Sequence, residues 1–494
     1  MGVTPDDIPW RRPRRRVVTR AGHAADVAFP LRRCRLLGLA GSALLTAGGV
    51  QAGALPVRSP LTEGRAEVGI AVCYFGLVLL VGGWLLLGRL VRGDAPPGIR
   101  DLLVTLALWA LPLLLGPPLC SRDVYSYLAQ GTMTGAGLDA YTDGPARLGG
   151  VLAVQVPGVW QHTPAPYGPL FLACAAVVAD LARDGVAAGV LGMRLLALAG
   201  VGLMVAALPA LARHSGSDPA GAVWLGALNP LLLVHLVAGA HNDALMLGLL
   251  GVGLVVAYRR PLPGAVLVTL AALVKAPAAL GLCAVAVLWA RRLDGRGRGA
   301  RATAAVAVTA AGVTALASAA TGIGFGWIAA LRTPVSPHNW APTQLLGRAT
   351  GALLEQGGSA HAHLASPVWQ LAGLAAAAAL TPLLWRRHAR GSPVYPLGLG
   401  LAAFAALGPA FRPWYALWGL YPLAAAAPHA TPRRVAPAAS AALALVALPD
   451  GFAAGPLRLA VATAGGAAAA VVLWCCAGRP PVRVGARAAR KDVA

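Results

Sequence analysis

Charge is scarce in this chain. Charged residues fill 12% of its 494 positions and only 18 of them are Asp or Glu, whereas about a quarter of a soluble domain is charged. With 57% apolar residues and a mean hydropathy of +0.66, a soluble globular domain is excluded. Polar–apolar alternation over ten-residue blocks is missing too, which excludes an outer-membrane barrel. The seven cysteines form no C-x-x-C pair and lie mostly in or beside apolar segments, so neither a disulfide framework nor a zinc site is expected. There is no Walker A sequence, no G-x-G-x-x-G opening a helix in a βαβ context and no H-E-x-x-H. No domain for a soluble nucleotide donor is therefore in view.

What the chain does have is long apolar runs. Several approach the ~20 residues a helix needs to cross the hydrocarbon of a bilayer, and the sequence is read as an all-α integral membrane protein. Fourteen runs are assigned as spans: 35–55, 68–90, 102–118, 187–211, 219–238, 242–258, 263–274, 277–290, 302–323, 367–384, 394–410, 415–429, 435–449 and 456–476. The net charge of +23 comes mostly from short arginine clusters between those runs. Most of the 41 Lys and Arg fall on one side when both ends are placed inside, as the positive-inside rule requires. The basic excess then touches lipid and sets orientation, and no nucleic-acid partner is implied. Residues 1–34, with RRPRRR at Arg11 to Arg16, read as a disordered basic tail, and 478–494 as a second one. Residues 35–477 make the membrane domain, with outer loops at 119–186 and 326–366.

Two placements shape the rest. Residues 169–184 are apolar but stop at Asp180, Arg183 and Asp184, so they are read as a helix lying along the membrane surface. Residues 263–290 have basic clusters at both ends and Lys275-Ala276-Pro277 in the middle. They are read as a hairpin of two short helices that delivers Lys275 to the outer face, a break tolerated where it lines a cavity.

On this topology the polar groups gather on one side, and ionisable groups at membrane depth are costly enough to be functional candidates. The longest polar interruption runs from Ser121 to Leu170. Asp123, directly after the third run, is placed to take a proton from a hydroxyl; pairing with Arg122 or capping the next helix are the competing readings. Tyr125 shares its segment. Asp139, Tyr141 and Asp143 sit in a Gly/Pro turn that suits sugar hydroxyls or plain solvation. His162 and Tyr167 flank prolines that fix the backbone, for a ligand or merely for structure. His241, Asn242 and Asp243 exceed what a helix cap needs. Lys275 and Arg412 are candidate phosphate partners or snorkelling cations. His338, Asn339 and Trp414 complete the set, with Trp414 a base-rate interface aromatic that could stack on a sugar.

The motifs DVYSY, G-LDAYT-GP, WQHTPAPYGPL, NPLLLVHLVAGAHNDA, LVKAP, HNWAP and FRPWY, spread over about 35–430, resemble the actinobacterial polyprenol-phosphomannose-dependent α-1,6-mannosyltransferases, which belong to the GT-C glycosyltransferases. The resemblance implies a GT-C fold of about 13–14 transmembrane helices with juxtamembrane helices in the first large outer loop. It implies Asp123 as catalytic base, a polyprenyl phosphate mannose donor, a mannosylated glycolipid acceptor of the lipomannan type, and an active site on the extracytoplasmic face of the plasma membrane. Inversion in a single displacement follows, without a covalent intermediate. Arg122-Asp123-Val124 replaces the two spaced acidic residues of the broader pattern, so neither metal nor other cofactor is expected. The absence of a large carbohydrate-binding domain after the last run argues against arabinosyltransferase relatives. The rivals are a transferase for another polyprenyl-phosphate sugar and a glycolipid transporter. The latter would spread polar groups through the midplane of repeated halves, and no repeat is found.

Overall fold

A computed structural model describes residues 20–56, 66–183, 185–331, 339–427, 430–451 and 455–477. Every regular element among them is helical, as the apolar runs demand: with no water to satisfy backbone amides, a chain in hydrocarbon closes its hydrogen bonds within each segment. Each of the fourteen apolar runs overlaps helical residues among those described. Five helices are long and apolar enough to cross a bilayer: α2 (Ala66–Val91), α8 (Val186–His214), α13 (Arg298–Thr321), α16 (Ala365–Arg387, extended by a turn from Ala362) and α20 (Pro456–Ala477). The remaining runs are shorter or broken helices. The protein is an all-α, multi-span membrane protein.

The N-terminal boundary moves. α1 spans Arg20–Ala52, so residues 20–34, expected within a disordered tail, are helical; residues 1–19 and 478–494 lie outside the described residues. α1 and α2 pack through small residues. A Cβ on Gly41 would lie 2.6 Å from the Gly76 carbonyl oxygen, and one on Gly48 2.5 Å from that of Gly69. Small residues let two backbones close to van der Waals distance where no hydrophobic drive separates protein from lipid. α13, α16 and α20 form the periphery, with only 17%, 11% and 17% of their apolar windows buried.

The centre is made of interrupted helices. After α3 (Ile99–Leu115), the run 219–238 splits into α9 (Pro219–Gly226) and a π-helical turn at Leu232–Ala238. Pro230 has no amide to donate, and Asn229 satisfies the break: Oδ1 accepts from the Leu231 amide at 2.9 Å while Nδ2 donates to the Leu225 carbonyl and to Ser440. The π turn meets α10 (Asp243–Ala257) at 108°. α11 (Pro261–Ala272) and α12 (Gly281–Ala290) flank Lys275 and a 3-10 turn at Ala276–Leu280, the two short helices expected around that lysine.

The first loop folds as helices on the membrane domain: α4 (Asp123–Gly135), α5 (Gly150–Gln155), α6 (Gly158–Gln161) and α7 (Pro169–Ala182). α7 packs on α4 and α8 and leaves Val177 and Leu181 outward. The second loop contains α14 (Gly326–Ala330) and the amphipathic α15 (Pro342–Gln356), which lies against α16. α17 (Val394–Leu407), α18 (Ala416–Ala426) and α19 (Ala430–Val446) complete the chain.

Candidate active site

Helix breaks deliver the polar groups to one place. Cys120, with φ of 61°, is in the left-handed region, where a non-glycine residue is strained, and it turns the chain out of the third run. Its amide bonds to the Pro449 carbonyl at 2.7 Å. α4 then starts at Asp123, whose amide donates to Ser121 Oγ at 3.0 Å. Arg122 points away: its guanidinium donates to the carbonyls of Leu55 (2.6 Å) and Gln155 (3.2 Å) and lies over the Tyr125 ring. Asp123 is the first helical residue, in the position where the helix dipole favours an anion. The helix end thus stabilises the carboxylate, while Arg122 is engaged elsewhere.

Another residue in the left-handed region stands at the second break. Ala240 has φ of 54° and introduces His241, Asn242 and Asp243, all buried. His241 Nδ1 lies 3.0 Å from the Tyr127 hydroxyl and 3.8 Å from Asp123 Oδ2. Trp414 stacks on the imidazole at 3.9 Å between ring centroids. Asp243 accepts both Lys275 Nζ–H bonds, at 3.0 and 2.9 Å, and the Trp418 indole N–H at 2.5 Å. The ammonium also sits 4.8 Å from the Tyr415 ring centroid. A buried charge needs this density of partners to offset its desolvation. Gly168 closes the group: a Cβ there would fall 2.2 Å from the Leu273 oxygen, so only glycine lets the Pro166–Gly168 segment approach the end of α11.

Two cavities meet at Asp123. One, of about 200 Å³, is lined by Ser126, Gln130, Tyr167, Asn339 and Tyr415 among others. The other, of about 600 Å³, runs past Trp340, Leu448 and Asp450. Asp123, Trp160, Arg412 and Trp414 line both. Burial raises the Asp123 pKa above the usual carboxylate value, opposed by the positive charges of Arg412 and Lys275 and by Ser121. Its side chain keeps 20% exposure, so it still reaches the cavities. Arg412 makes no hydrogen bond or ion pair among the described residues, unlike Lys275, which Asp243 neutralises.

The sequence from 35 to 291 matches the family described as "Alpha-(1->6)-mannopyranosyltransferase, N-terminal domain", and 343–475 matches the "MptB C-terminal domain". The chain belongs to the alpha-(1->6)-mannopyranosyltransferase family. With that family it is a membrane glycosyltransferase. It is 37% identical to a Mycolicibacterium smegmatis protein named "Probable alpha-(1->6)-mannopyranosyltransferase", with 80% of this chain and 79% of the relative covered. It is 36% identical to alpha-(1->6)-mannopyranosyltransferase A of Mycobacterium tuberculosis, over 81% and 80%, and 33% identical to alpha-(1->6)-mannopyranosyltransferase B of Corynebacterium glutamicum, over 79% and 72%. No solved structure matches.

Of the residues singled out in this family member's sequence, Asp123, Tyr167, Asn339, Arg412 and Trp414 line the cavities. His241, Asn242, Asp243 and Lys275 form a layer behind them. Tyr125 is buried and donates its hydroxyl to the Ala54 carbonyl at 2.7 Å. Asp139 is exposed and accepts from the Tyr141 amide within its own turn. Tyr141 is buried against Gly326, and His162 is exposed. None of these last four lines either cavity. His338 lies outside the described residues. Sequence reading passed over Ser126, Tyr127 and Gln130. Their signal was present: positions 123, 126, 127 and 130 follow the i, i+3, i+4, i+7 spacing of one helix face.

Proposed function

We propose that this enzyme moves mannose from a polyprenyl phosphate mannose donor to an α-1,6-mannan glycolipid acceptor on the extracytoplasmic side of the plasma membrane, with Asp123 as general base and Arg412 as partner of the leaving phosphate. The observation that carries this reading is the position of Asp123 and Arg412 on the wall shared by two cavities. A single displacement needs the acceptor hydroxyl and the leaving group on opposite sides of the anomeric carbon, and two meeting cavities supply separate seats.

The smaller cavity, edged by Ser126, Gln130, Thr163 and Asn339, suits one hexose with its hydroxyls hydrogen-bonded. The larger suits the growing glycan, which needs more room. Asp123 takes the acceptor's proton as the new bond from that oxygen to the anomeric carbon forms. The bond from that carbon to the phosphate oxygen breaks, and its electron pair leaves on the phosphate. The free Arg412 fork stabilises the charge that develops there. Lys275, saturated by Asp243, holds the carboxylate, Tyr415 and Trp418 in register behind the cavity.

The test is direct. Purified protein in detergent, labelled polyprenyl phosphate mannose and a short α-1,6-mannoside should give an elongated product, and Asp123→Asn should lose that transfer at unchanged expression and thermal stability. Full activity in the variant would remove Asp123 as base; no transfer from the mannosyl donor would remove the donor assignment.

A further inference from the structure

A buried group of polar side chains behind Asp123 has no part in the mechanism above. His235, on the π turn, is fully buried, and neither of its ring nitrogens has a partner among the described residues. His241 Nε2, Trp414 Nε1 and both polar atoms of Asn242 are likewise buried and unpartnered. The rings form one cluster: His235 lies 6.0 Å from His241 and 5.1 Å from Trp414 between centroids, and Trp414 stacks on His241. An orphaned buried polar atom is destabilising, and so many at one spot are a habitat for ordered water.

The cluster constrains one tautomer. Nδ1 faces Asp123 Oδ2 at 3.8 Å, and an ionised carboxylate only accepts, so Nδ1 is the nitrogen that carries the hydrogen. The Tyr127 oxygen is then free to accept from His241 Nδ1–H across the 3.0 Å contact. That leaves His241 Nε2 as an acceptor, in a cluster where the Trp414 indole N–H has no other acceptor among the described residues. One water, accepting from Trp414 and donating to Nε2, satisfies both. The same Nδ1–H stands 3.8 Å from Asp123 Oδ2, longer than a hydrogen bond and of the kind that tightens when substrate docks.

We propose that His241 is a positioning residue for Asp123, held in its Nδ1–H tautomer by a buried water site formed with Trp414, Asn242 and His235, so that it orients the base and favours its ionised form. The imidazole lines neither cavity, so it acts through Asp123 and not on the sugars. Asp123 is also faced by Arg412, Lys275, Asp243 and Ser121, and His241 by His235, Lys275 and Arg412. None of these is altered by substitution at 241, and the acid limb of the rate profile reports the His241–Asp123 contact against a constant background.

This inference rests on Asp123 being the base, and the experiment separates the two. kcat, KM for both substrates and the pH dependence of kcat are measured for the full-length enzyme and for His241→Asn, His241→Gln and Asp123→Asn. Asn places an amide N–H near Nδ1, whereas Gln places it near Nε2. His241→Gln should lower kcat at least about tenfold with both KM values within about twofold, and should move the acid limb up by about one pH unit, since one unit corresponds to a tenfold change in ionisation. His241→Asn should keep the wild-type limb and most of kcat. If Asn and Gln behave alike, or the limb stays fixed while kcat falls with thermal stability, His241 is structural and the proposal fails. An active Asp123→Asn would instead overturn the base assignment itself.

Discussion

At the residue scale the decisive contrast is between two cations that look equivalent in sequence. Lys275 and Arg412 both lie at helix breaks beside aromatics, and each reads as a phosphate partner. The structure gives Lys275 a bidentate bond to Asp243 and leaves Arg412 without a hydrogen bond or ion pair among the described residues, on the wall of both cavities. Arg412→Ala is therefore expected to lower kcat by about 10²–10³, the usual loss for one donor to a developing oxyanion. Arg412→Lys should recover only part of this, because a point charge replaces a planar fork. Steady-state kinetics with the mannosyl donor decide it: equal rates for the wild type and Arg412→Ala would move the leaving-group role elsewhere. In the proposed mechanism Asp123 sets the acid side of the profile. Burial raises its pKa, so activity should climb with pH through a value above the ordinary carboxylate range, as the base must be ionised to work.

At the element scale, broken helices hold the site, and each break needs its freed carbonyls satisfied. Arg194 on α8 does this for two of them. Its Nη1 donates to the carbonyls of Leu114 (3.0 Å) and Gly116 (2.6 Å) at the end of α3, and its Nη2 to that of Ala238 (3.2 Å) before the Ala240 turn. Nothing in the spacing of α8 singles this arginine out, since an isolated cation in an apolar run has no sequence-visible partner. Arg194→Met should destabilise the protein by about 3 kcal/mol, the order expected when buried carbonyls lose their donor, and should lower activity through misplacement of His241. Thermal unfolding in detergent measures it; an unchanged midpoint would show that water replaces the guanidinium. The helical stripe of α4 was legible and yet missed for Tyr127, because a tyrosine in an apolar helix reads as core until its neighbour across the fold is known.

At the scale of the whole molecule, the orientation of the site relative to the membrane is a separate question from its assembly. Single cysteines introduced at exposed positions beside the site, such as Val159, and at the far end, such as Ala300 near the start of α13, in a background without the native cysteines, should label with an impermeant maleimide only at the first position in intact cells. Labelling restricted to the second would invert the topology and place the chemistry inside.

The sequence alone determined the class of molecule. Hydropathy and the absence of alternating strands require helices in lipid, and the places where apolar runs fail mark Asp123, the His241–Asp243 turn, Lys275 and the Arg412–Trp414 segment. Those features are local: a run is apolar or broken whatever surrounds it. The tertiary structure decided which of the marked residues face a cavity and which brace it. Partnership depends on distances between elements far apart in the chain, such as Lys275 with Asp243 or Arg194 with Ala238. It is also why Tyr125, conspicuous in its motif, turns to the Ala54 carbonyl, while His235, inconspicuous in an apolar run, arrives behind the base.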